Sequence, residues 1–399
     1  MTPIDWLDSL QGSGIRPGLG RMRALLAALG QPERAYRSVI VAGTNGKGST
    51  SATLASILIE SGYRTGLYTS PHLVDLRERW MIGGANIGDE LLTHSIALLQ
   101  RAAADTCITP TYFEALTLVA FVAFREARCE VAVLEVGMGG RLDATNVVKP
   151  IAALITPIGF DHIEYLGRTI RQIAGEKAGV IHRGAVVLTT NDNPLVVDLL
   201  RERAVKFDVR FFVVTEEHDT PLAGNFQRRN AALAVRAAEE LREVLPRISA
   251  KAIERGVRAT RWRGRLERMS VGGKDVWIDG CHNAHAIAAV APFVAAHLTP
   301  PRLLVFGIMG DKDIADVART LFPHFATIIA TEPYPPRSAR AEELAAMARE
   351  TGIDAVAEPE PRAAIERALA SGGHSIFVGG SLYLAGAAIE YLDERKRQQ

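Results

Sequence analysis

The sequence predicts an α/β protein with mostly parallel sheets, arranged as two successive domains. Three observations carry this. Short apolar runs alternate with longer amphipathic segments along most of the 399 residues, and that alternation builds a parallel sheet covered on both faces. A glycine-rich turn joins an early apolar run to a long amphipathic one. A basic stretch from Arg258 to Arg265 then breaks the rhythm before it restarts. A chain this long also exceeds what one core usually holds.

In chain order, Val39 to Ala42 reads as a buried strand, followed by the glycine turn and a helix from about Ser49 to Ser61. Further strands are expected at Thr65 to Tyr68, Val131 to Val136, Ala152 to Pro157, Ala185 to Thr190 and Arg210 to Val214. Helices are expected at Asp89 to Ala104, Tyr112 to Arg128, Thr169 to Ala178 and Gln227 to Val244. After the basic linker come strands at Asp275 to Asp279, Leu303 to Gly307, Thr327 to Thr331 and Ser375 to Val378, with helices between. The reading is one domain over residues 1–260 and a smaller one over 261–399.

Composition narrows the function classes. A 48% hydrophobic and 23% charged chain is globular. A formal net charge of +1 gives no global field to recruit nucleic acid or an anionic membrane. Cys107, Cys129 and Cys281 are too few and too scattered for a disulfide framework. The N-terminus lacks a basic start followed by an apolar run, and no stretch of about 18 apolar residues is uninterrupted. A soluble cytoplasmic protein with small-molecule partners is expected, with neither nucleic acid nor membrane among them.

The strongest local signal is Gly43-Thr44-Asn45-Gly46-Lys47-Gly48-Ser49-Thr50, between a strand and a helix. Glycines let backbone amides turn toward phosphate oxygens, and the helix N-terminus adds a favourable dipole. Lys47 can reach the outer phosphates and the Ser49 hydroxyl can bind magnesium. The spacing is one residue tighter than the common G-x-x-x-x-G-K-[ST] loop. A P-loop-type phosphate-binding domain is therefore expected first, the plainer reading being a glycine turn that starts a helix with no ligand.

GTNGKGST is followed in order by TSPHL (Thr69 to Leu73), LEVGMGGRLDATN (Leu134 to Asn146), GFDHIEYLG (Gly159 to Gly167), EKAGVI (Glu176 to Ile181) and GNFQRRNAALA (Gly224 to Ala234). RGRLE (Arg263 to Glu267), DGCHNAH (Asp279 to His285), GDKD (Gly310 to Asp313) and GGSLYLAG (Gly379 to Gly386) complete the series. Together they resemble the folylpolyglutamate synthase and dihydrofolate synthase family, a branch of the Mur-ligase-like enzymes, over nearly the whole chain. The resemblance implies a P-loop α/β domain followed by a Rossmann-like one that binds glutamate. It implies ATP-dependent joining of L-glutamate to 7,8-dihydropteroate or a tetrahydrofolate species through an acyl phosphate, in a monomer. Relatives that act on cell-wall or cofactor precursors carry a separate N-terminal domain. With the phosphate loop already at Gly43, no such domain is expected here.

It also implies roles for residues. Ser70, Glu135 and His162 match magnesium-site positions. Lys177 matches a lysine that is carbamylated to bind a second ion. Asn230, Arg265 and Asp279 match nucleotide contacts, and His282 faces the same cleft. Gly18, Arg21, Tyr112 and Phe113 match segments near the pterin and benzoate pocket, and Ser381 stands at a helix start suited to the glutamate carboxylate. Plainer readings stand beside these. Glu135 could cap a helix or pair with Arg141, Lys177 could be an exposed helical lysine, Phe113 could be core, and Asp279 could be a helix cap. Cys281 and Ala284 depart from the usual D-G-A-H-N-P of the second domain. A thiol nucleophile at Cys281, or a zinc site of Cys281, His282 and His285, is disfavoured because adjacent side chains diverge and a fourth ligand is lacking.

Overall fold

The structure, a computed structural model, describes residues 2–372 and 375–398. It divides into two compact units. The first comprises Met1–Pro71, Arg77–Pro221 and Gln227–Arg261, and the second comprises His72–Leu76, Leu222–Phe226 and Trp262–Gln399. The two short segments go with the second unit because Leu73, Ala223 and Phe226 pack against its hydrophobic clusters.

The first unit begins with α1 (Pro3–Ser9) and α2 (Gly20–Ala28), then β1 (Arg37–Ala42), α3 (Lys47–Glu60) and β2 (Thr65–Tyr68). A hairpin of β3 (Trp80–Ile82) and β4 (Ala85–Asn86) precedes α4 (Asp89–Thr106) and α5 (Tyr112–Glu126). Next come β5 (Val131–Glu135), β6 (Ala152–Ile155), α6 (Ile163–Leu166), α7 (Ile170–Lys177), β7 (Val186–Thr189), α8 (Pro194–Phe207) and β8 (Phe211–Val213). Two helices, α9 (Asn225–Glu240) and α10 (Ala250–Ala259), follow. The sheet order is β4-β3-β2-β5-β1-β6-β7-β8, parallel from β2 to β8, with an antiparallel edge at β3 and β4. β1 and β5 are apolar throughout their centres because helices cover both faces.

Local chemistry sets the helix starts. Thr111 with Glu114 and Thr169 with Gln172 form reciprocal capping boxes at α5 and α7. α3 starts at Lys47 rather than Ser49, because Gly46 in the left-handed region ends the turn there. The β3–β4 hairpin, absent from the sequence reading, turns through Gly83 and Gly84, both at positive φ. Its strands are too short for an alternating pattern to register. Trp80 within it is fully buried and donates from its indole nitrogen to the Leu116 carbonyl at 3.0 Å.

The second unit contains β9 (Glu267–Val271), β10 (Lys274–Ile278), α11 (Ala284–His297), β11 (Arg302–Phe306), α12 (Ile314–Leu321), β12 (Thr327–Ala330), α13 (Ala341–Glu350), β13 (Asp354–Ala357), α14 (Pro361–Ala370), β14 (Ser375–Gly379) and α15 (Leu382–Gln398). Its sheet runs β13-β12-β11-β14-β10-β9, with only β9 antiparallel. β9 and β13 were not anticipated. β9 pairs with β10 across Gly272-Gly273, a two-residue turn with both φ angles positive. Among the described residues no helix is long and apolar enough to cross a membrane.

The helix carrying the phosphate loop is itself backed by α10. A Cβ on Gly256 would lie 2.4 Å from the Ile57 Cα, and the Ser56 hydroxyl donates to the Gly256 carbonyl at 2.7 Å. Gly256→Ala should therefore cost roughly 1–3 kcal/mol through overpacking, read as a lower urea midpoint. Gly175→Ala, where nothing lies within 4 Å of the new methyl, should instead stabilise α7 by about 0.5–1 kcal/mol.

Candidate active site

The carboxyl ends of β2, β5, β1 and β6 lie side by side in the first sheet. The chain leaves β1 toward β2 on one flank and leaves β6 toward β7 on the other. A crevice at such a switch in direction is where open α/β sheets take their ligands.

Gly43 to Gly46 turn off the end of β1. Gly43 and Gly46 have φ of 145° and 87°. A Cβ on Gly43 would lie 1.9 Å from the Thr156 hydroxyl oxygen, and one on Gly46 would lie 2.4 Å from the Asn230 side-chain oxygen. No side chain fits either place. The Thr44 N–H donates to the Pro157 carbonyl at 3.0 Å, and its hydroxyl exchanges hydrogen bonds with the Gly159 backbone at 3.1 Å. Asn45 N–H reaches the same Pro157 carbonyl at 3.4 Å. Lys47 folds back so that Nζ donates to the Thr44 carbonyl at 3.0 Å. Gly48, Ser49 and Thr50 are buried in the first turn of α3. The result is a backbone cradle at a helix N-terminus with a lysine over it, the arrangement that holds phosphate.

Glu135 is the last residue of β5, buried, and in register with Val41 of β1. It thus stands at the mouth of the loop. Arg141 pairs with Glu176 at 2.8 Å, so the alternative pairing with Glu135 is not the one formed. Ser70 lies two residues beyond β2 and is half-buried. His162 follows β6 at φ 51°, exposed at the start of α6, with Asp161 Oδ1 4.0 Å from Nε2.

Lys177 is 4% exposed, at the end of α7, and its Nζ donates to the Gly43 carbonyl at 2.7 Å. It is not a surface lysine. Burial first, and then repulsion from Lys47, pull its pKa down to about 7, with Asp161 and Asp143 opposing. The cradle therefore has a second nitrogen beneath it that is neutral for much of the time near neutral pH.

Two residues escaped the sequence reading. Asp143 accepts from Gly137 and Met138 N–H with Oδ2, both at 3.0 Å, and from Thr145 N–H and Oγ1 with Oδ1, at 3.0 and 2.6 Å. It ties down the glycine loop after Glu135. Burial pushes its pKa up against those hydrogen bonds. Gln227 accepts from Asn230 Nδ2 at 3.0 Å, while its own Nε2 is buried without a partner. An unpaired donor beside the residue that covers Gly46 suits a ligand acceptor. Both lie within runs that carry the family resemblance, LEVGMGGRLDATN and GNFQRRNAALA, although neither was given a role there.

Of the expected folate-pocket residues, Phe113 packs against Gly137, where a Cβ would fall 2.3 Å from its ring. Tyr112 N–H donates to the Ser13 hydroxyl at 2.9 Å. Arg21 forms a two-bond pair with Glu114, at 2.9 and 3.1 Å, so it braces the start of α5. Gly18 lies half-exposed in the loop before α2 with φ 130°.

In the second unit, buried Asp279 accepts from Leu266 N–H and Cys281 N–H, each at 2.8 Å. Burial raises its pKa, and Arg265 opposes that. Arg265 Nη1 donates to the Gly264 carbonyl at 2.9 Å, and His282 Nδ1 pairs with the Gly280 carbonyl at 2.8 Å. Ser381 is buried, and its hydroxyl accepts from Tyr383 N–H at 3.1 Å at the start of α15. Among the described residues no three His, Cys, Asp or Glu side chains converge as a metal centre. Magnesium needs fewer protein ligands than that, since phosphate oxygens and waters complete its shell. Glu135, His162 and neighbouring hydroxyls at the cradle are compatible with it.

Models of the Mur ligase middle domain and of the Mur ligase glutamate ligase domain match residues 41–229 and 264–382. The dihydrofolate synthase/folylpolyglutamate synthase of Bacillus subtilis is 36% identical, over 79% of this chain and 81% of that protein. The chain belongs to the folylpolyglutamate and dihydrofolate synthase family of Mur ligases. Folylpolyglutamate synthase of Mycobacterium tuberculosis complexed with ADP superimposes with a TM-score of 0.89 at 31% identity, over 98% of this chain and 97% of that one. The bifunctional Yersinia pestis enzyme, complexed with AMPPNP and a Mn ion, does so with a TM-score of 0.87 at 29% identity, over 98% of both chains. In this family member the cysteine at position 281 has a thiol pKa raised well above its usual value, chiefly by burial, which disfavours a thiolate nucleophile. Native protein should therefore give about one equivalent of rapidly reacting thiol with a chromogenic disulfide, from exposed Cys107, and all three only after denaturation. Rapid labelling of Cys281 in the folded protein would contradict this burial.

Proposed function

We propose that this chain is an ATP-dependent ligase that joins L-glutamate to the carboxylate of a folate or pteroate, releasing ADP and phosphate. The observation that carries it is the convergence of the glycine cradle, Lys47, Glu135 and buried Lys177 on the carboxyl edge of β1. A carboxylate is inert toward amines in water, so it must first be activated. Its oxygen attacks the γ-phosphorus of ATP, the bond to ADP breaks, and an acyl phosphate forms. The glutamate amine attacks the acyl carbon and loses its proton, and phosphate departs with the C–O bonding pair.

The first step brings two anions together, so positive charge must be concentrated where they meet. Lys47 and the amides of Gly46 to Ser49 at the start of α3 supply fixed charge and dipoles there. Ser49, Ser70, Glu135 and His162 would hold one divalent ion, and Lys177 a second. Such ions neutralise phosphate charge and orient the transferring group. For Lys177 to serve as a ligand it must become anionic. Its neutral amine can add carbon dioxide to form a carbamate with loss of a proton, and the depressed pKa and the burial support that reading.

Tyr112, Phe113 and Gly18 are assigned to the pteroate ring system, with Arg21 acting through Glu114. Arg265, Asp279, His282 and Ser381 are assigned to nucleotide and glutamate, and Asn230 with Gln227 to the cradle. The acceptors are 7,8-dihydropteroate and tetrahydrofolate species, handled by a monomer in the cytoplasm. The sparse cysteines and the near-neutral charge support that setting.

Purified protein given magnesium ATP and labelled glutamate should incorporate label when dihydropteroate or tetrahydrofolate is supplied, and the two acceptors assayed separately give the preference. Lys47→Ala should lower that rate by at least roughly 10²–10³-fold while circular dichroism stays native; near-normal turnover would sink the assignment. Labelled bicarbonate should produce a carbamate carbon resonance that is absent in Lys177→Met. Because only the neutral amine reacts, the signal should grow as pH rises through about 7.

A further inference from the structure

We propose that Asn146, oriented by His182, is a positioning residue that locks the Lys177 turn to the glycine loop following Glu135. The inference rests on the reading of Lys177 given above, and it concerns residues outside the cradle.

Asn146 is 6% exposed and sits where two separate stretches of backbone meet. Its Nδ2 donates to the Arg141 carbonyl at 3.1 Å and to the Gly179 carbonyl at 3.2 Å. Its Oδ1 lies 2.7 Å from His182 Nε2. Both amide hydrogens and the amide oxygen are therefore used. Rotating the amide by half a turn would aim an oxygen at two carbonyls, so one orientation alone works. An acceptor at 2.7 Å requires His182 to carry its hydrogen on Nε2. Burial, and then the nearby Arg203, depress its pKa, which favours the neutral ring, and the Asn146 acceptor selects the Nε2–H tautomer of that ring.

The two stretches are already pressed together. Arg141 N–H donates to the Glu176 carbonyl at 2.8 Å. A Cβ on Gly179 would lie 2.4 Å from the Arg141 Cα, and one on Gly140 would lie 2.9 Å from the Glu176 and Lys177 carbonyls. At the surface the Arg141–Glu176 ion pair joins the two pieces at 2.8 Å, and Asn146 supplies the buried polar bridge between them. Lys177 issues from one piece and Glu135 lies just upstream of the other, so slippage here would move a candidate metal-site nitrogen relative to a candidate metal-site carboxylate. A buried carbonyl pair deprived of its donor is also costly.

Asn146→Asp keeps the shape and removes both donors. It should lower kcat by roughly 10–100-fold, the usual effect of losing an outer partner of a metal ligand, with KM for ATP changed by less than about 3-fold. It should also raise the bicarbonate concentration needed for half-maximal activity, and hydrogen exchange should accelerate in residues 176–182. His182→Gln places an N–H donor where Nε2 stood and should stay within about 3-fold of the parent kcat, whereas His182→Leu should fall by about 10-fold. If Asn146→Asp fails to fold, the His182 pair decides, because rescue by glutamine alone is not expected of a residue that merely fills space. Parent-like kcat, bicarbonate dependence and exchange in Asn146→Asp, or equal losses in both His182 variants, would overturn the clamp. A parent protein without a carbamate signal would instead overturn the reading of Lys177 and leave the clamp to stand on kcat and exchange.

Discussion

The hydrogen bond from Lys177 Nζ to the Gly43 carbonyl is the contact on which the site depends. It places a buried nitrogen beneath a loop that already carries Lys47. Burial denies Lys177 water and Lys47 repels its charge, so its amine is easy to deprotonate. A surface lysine would show neither effect. Gly43 must itself lack a side chain, because a Cβ there would lie 1.9 Å from the Thr156 hydroxyl oxygen.

Around that contact the protein uses backbone more than side chains. The stretch after Glu135 is held by the four hydrogen bonds that Asp143 accepts, and the turn after Lys177 lies directly against it through Gly140 and Gly179. Rigid placement of this kind matters for a ligase, because joining two anionic partners depends on charges set in advance rather than recruited during the step. The Arg21–Glu114 pair does the same for the aromatic side, since Glu114 both caps α5 and anchors Arg21.

The second unit repeats the strategy with Asp279. Its carboxylate accepts two backbone N–H groups from different loops, at Leu266 and Cys281. The helix-cap alternative for Asp279 is not what forms: Asn283 caps the following helix, accepting from Ala286 N–H at 2.9 Å, and the groups Asp279 satisfies belong to loops. Cys281 sits in the same buried turn, which accounts for its high thiol pKa.

The parallel α/β class, most of the strands and the phosphate loop were legible in the sequence, because buried strands and glycine turns depend on neighbours in the chain. So was the family, through the order of its short runs from Gly43 to Gly386. The hairpins at Gly83-Gly84 and Gly272-Gly273 were missed although their paired glycines stand in the sequence; the strands of the first are too short to show an alternating pattern. What only the tertiary structure decided is which distant residues meet: Lys177 with Gly43, Asn146 with Gly179, Asn230 with Gly46, Gln227 with an unmet donor, and Arg141 with Glu176 rather than Glu135. These contacts are set by how crossovers return to the sheet edge, and their chemistry depends on burial. Neither is encoded in the residues on either side.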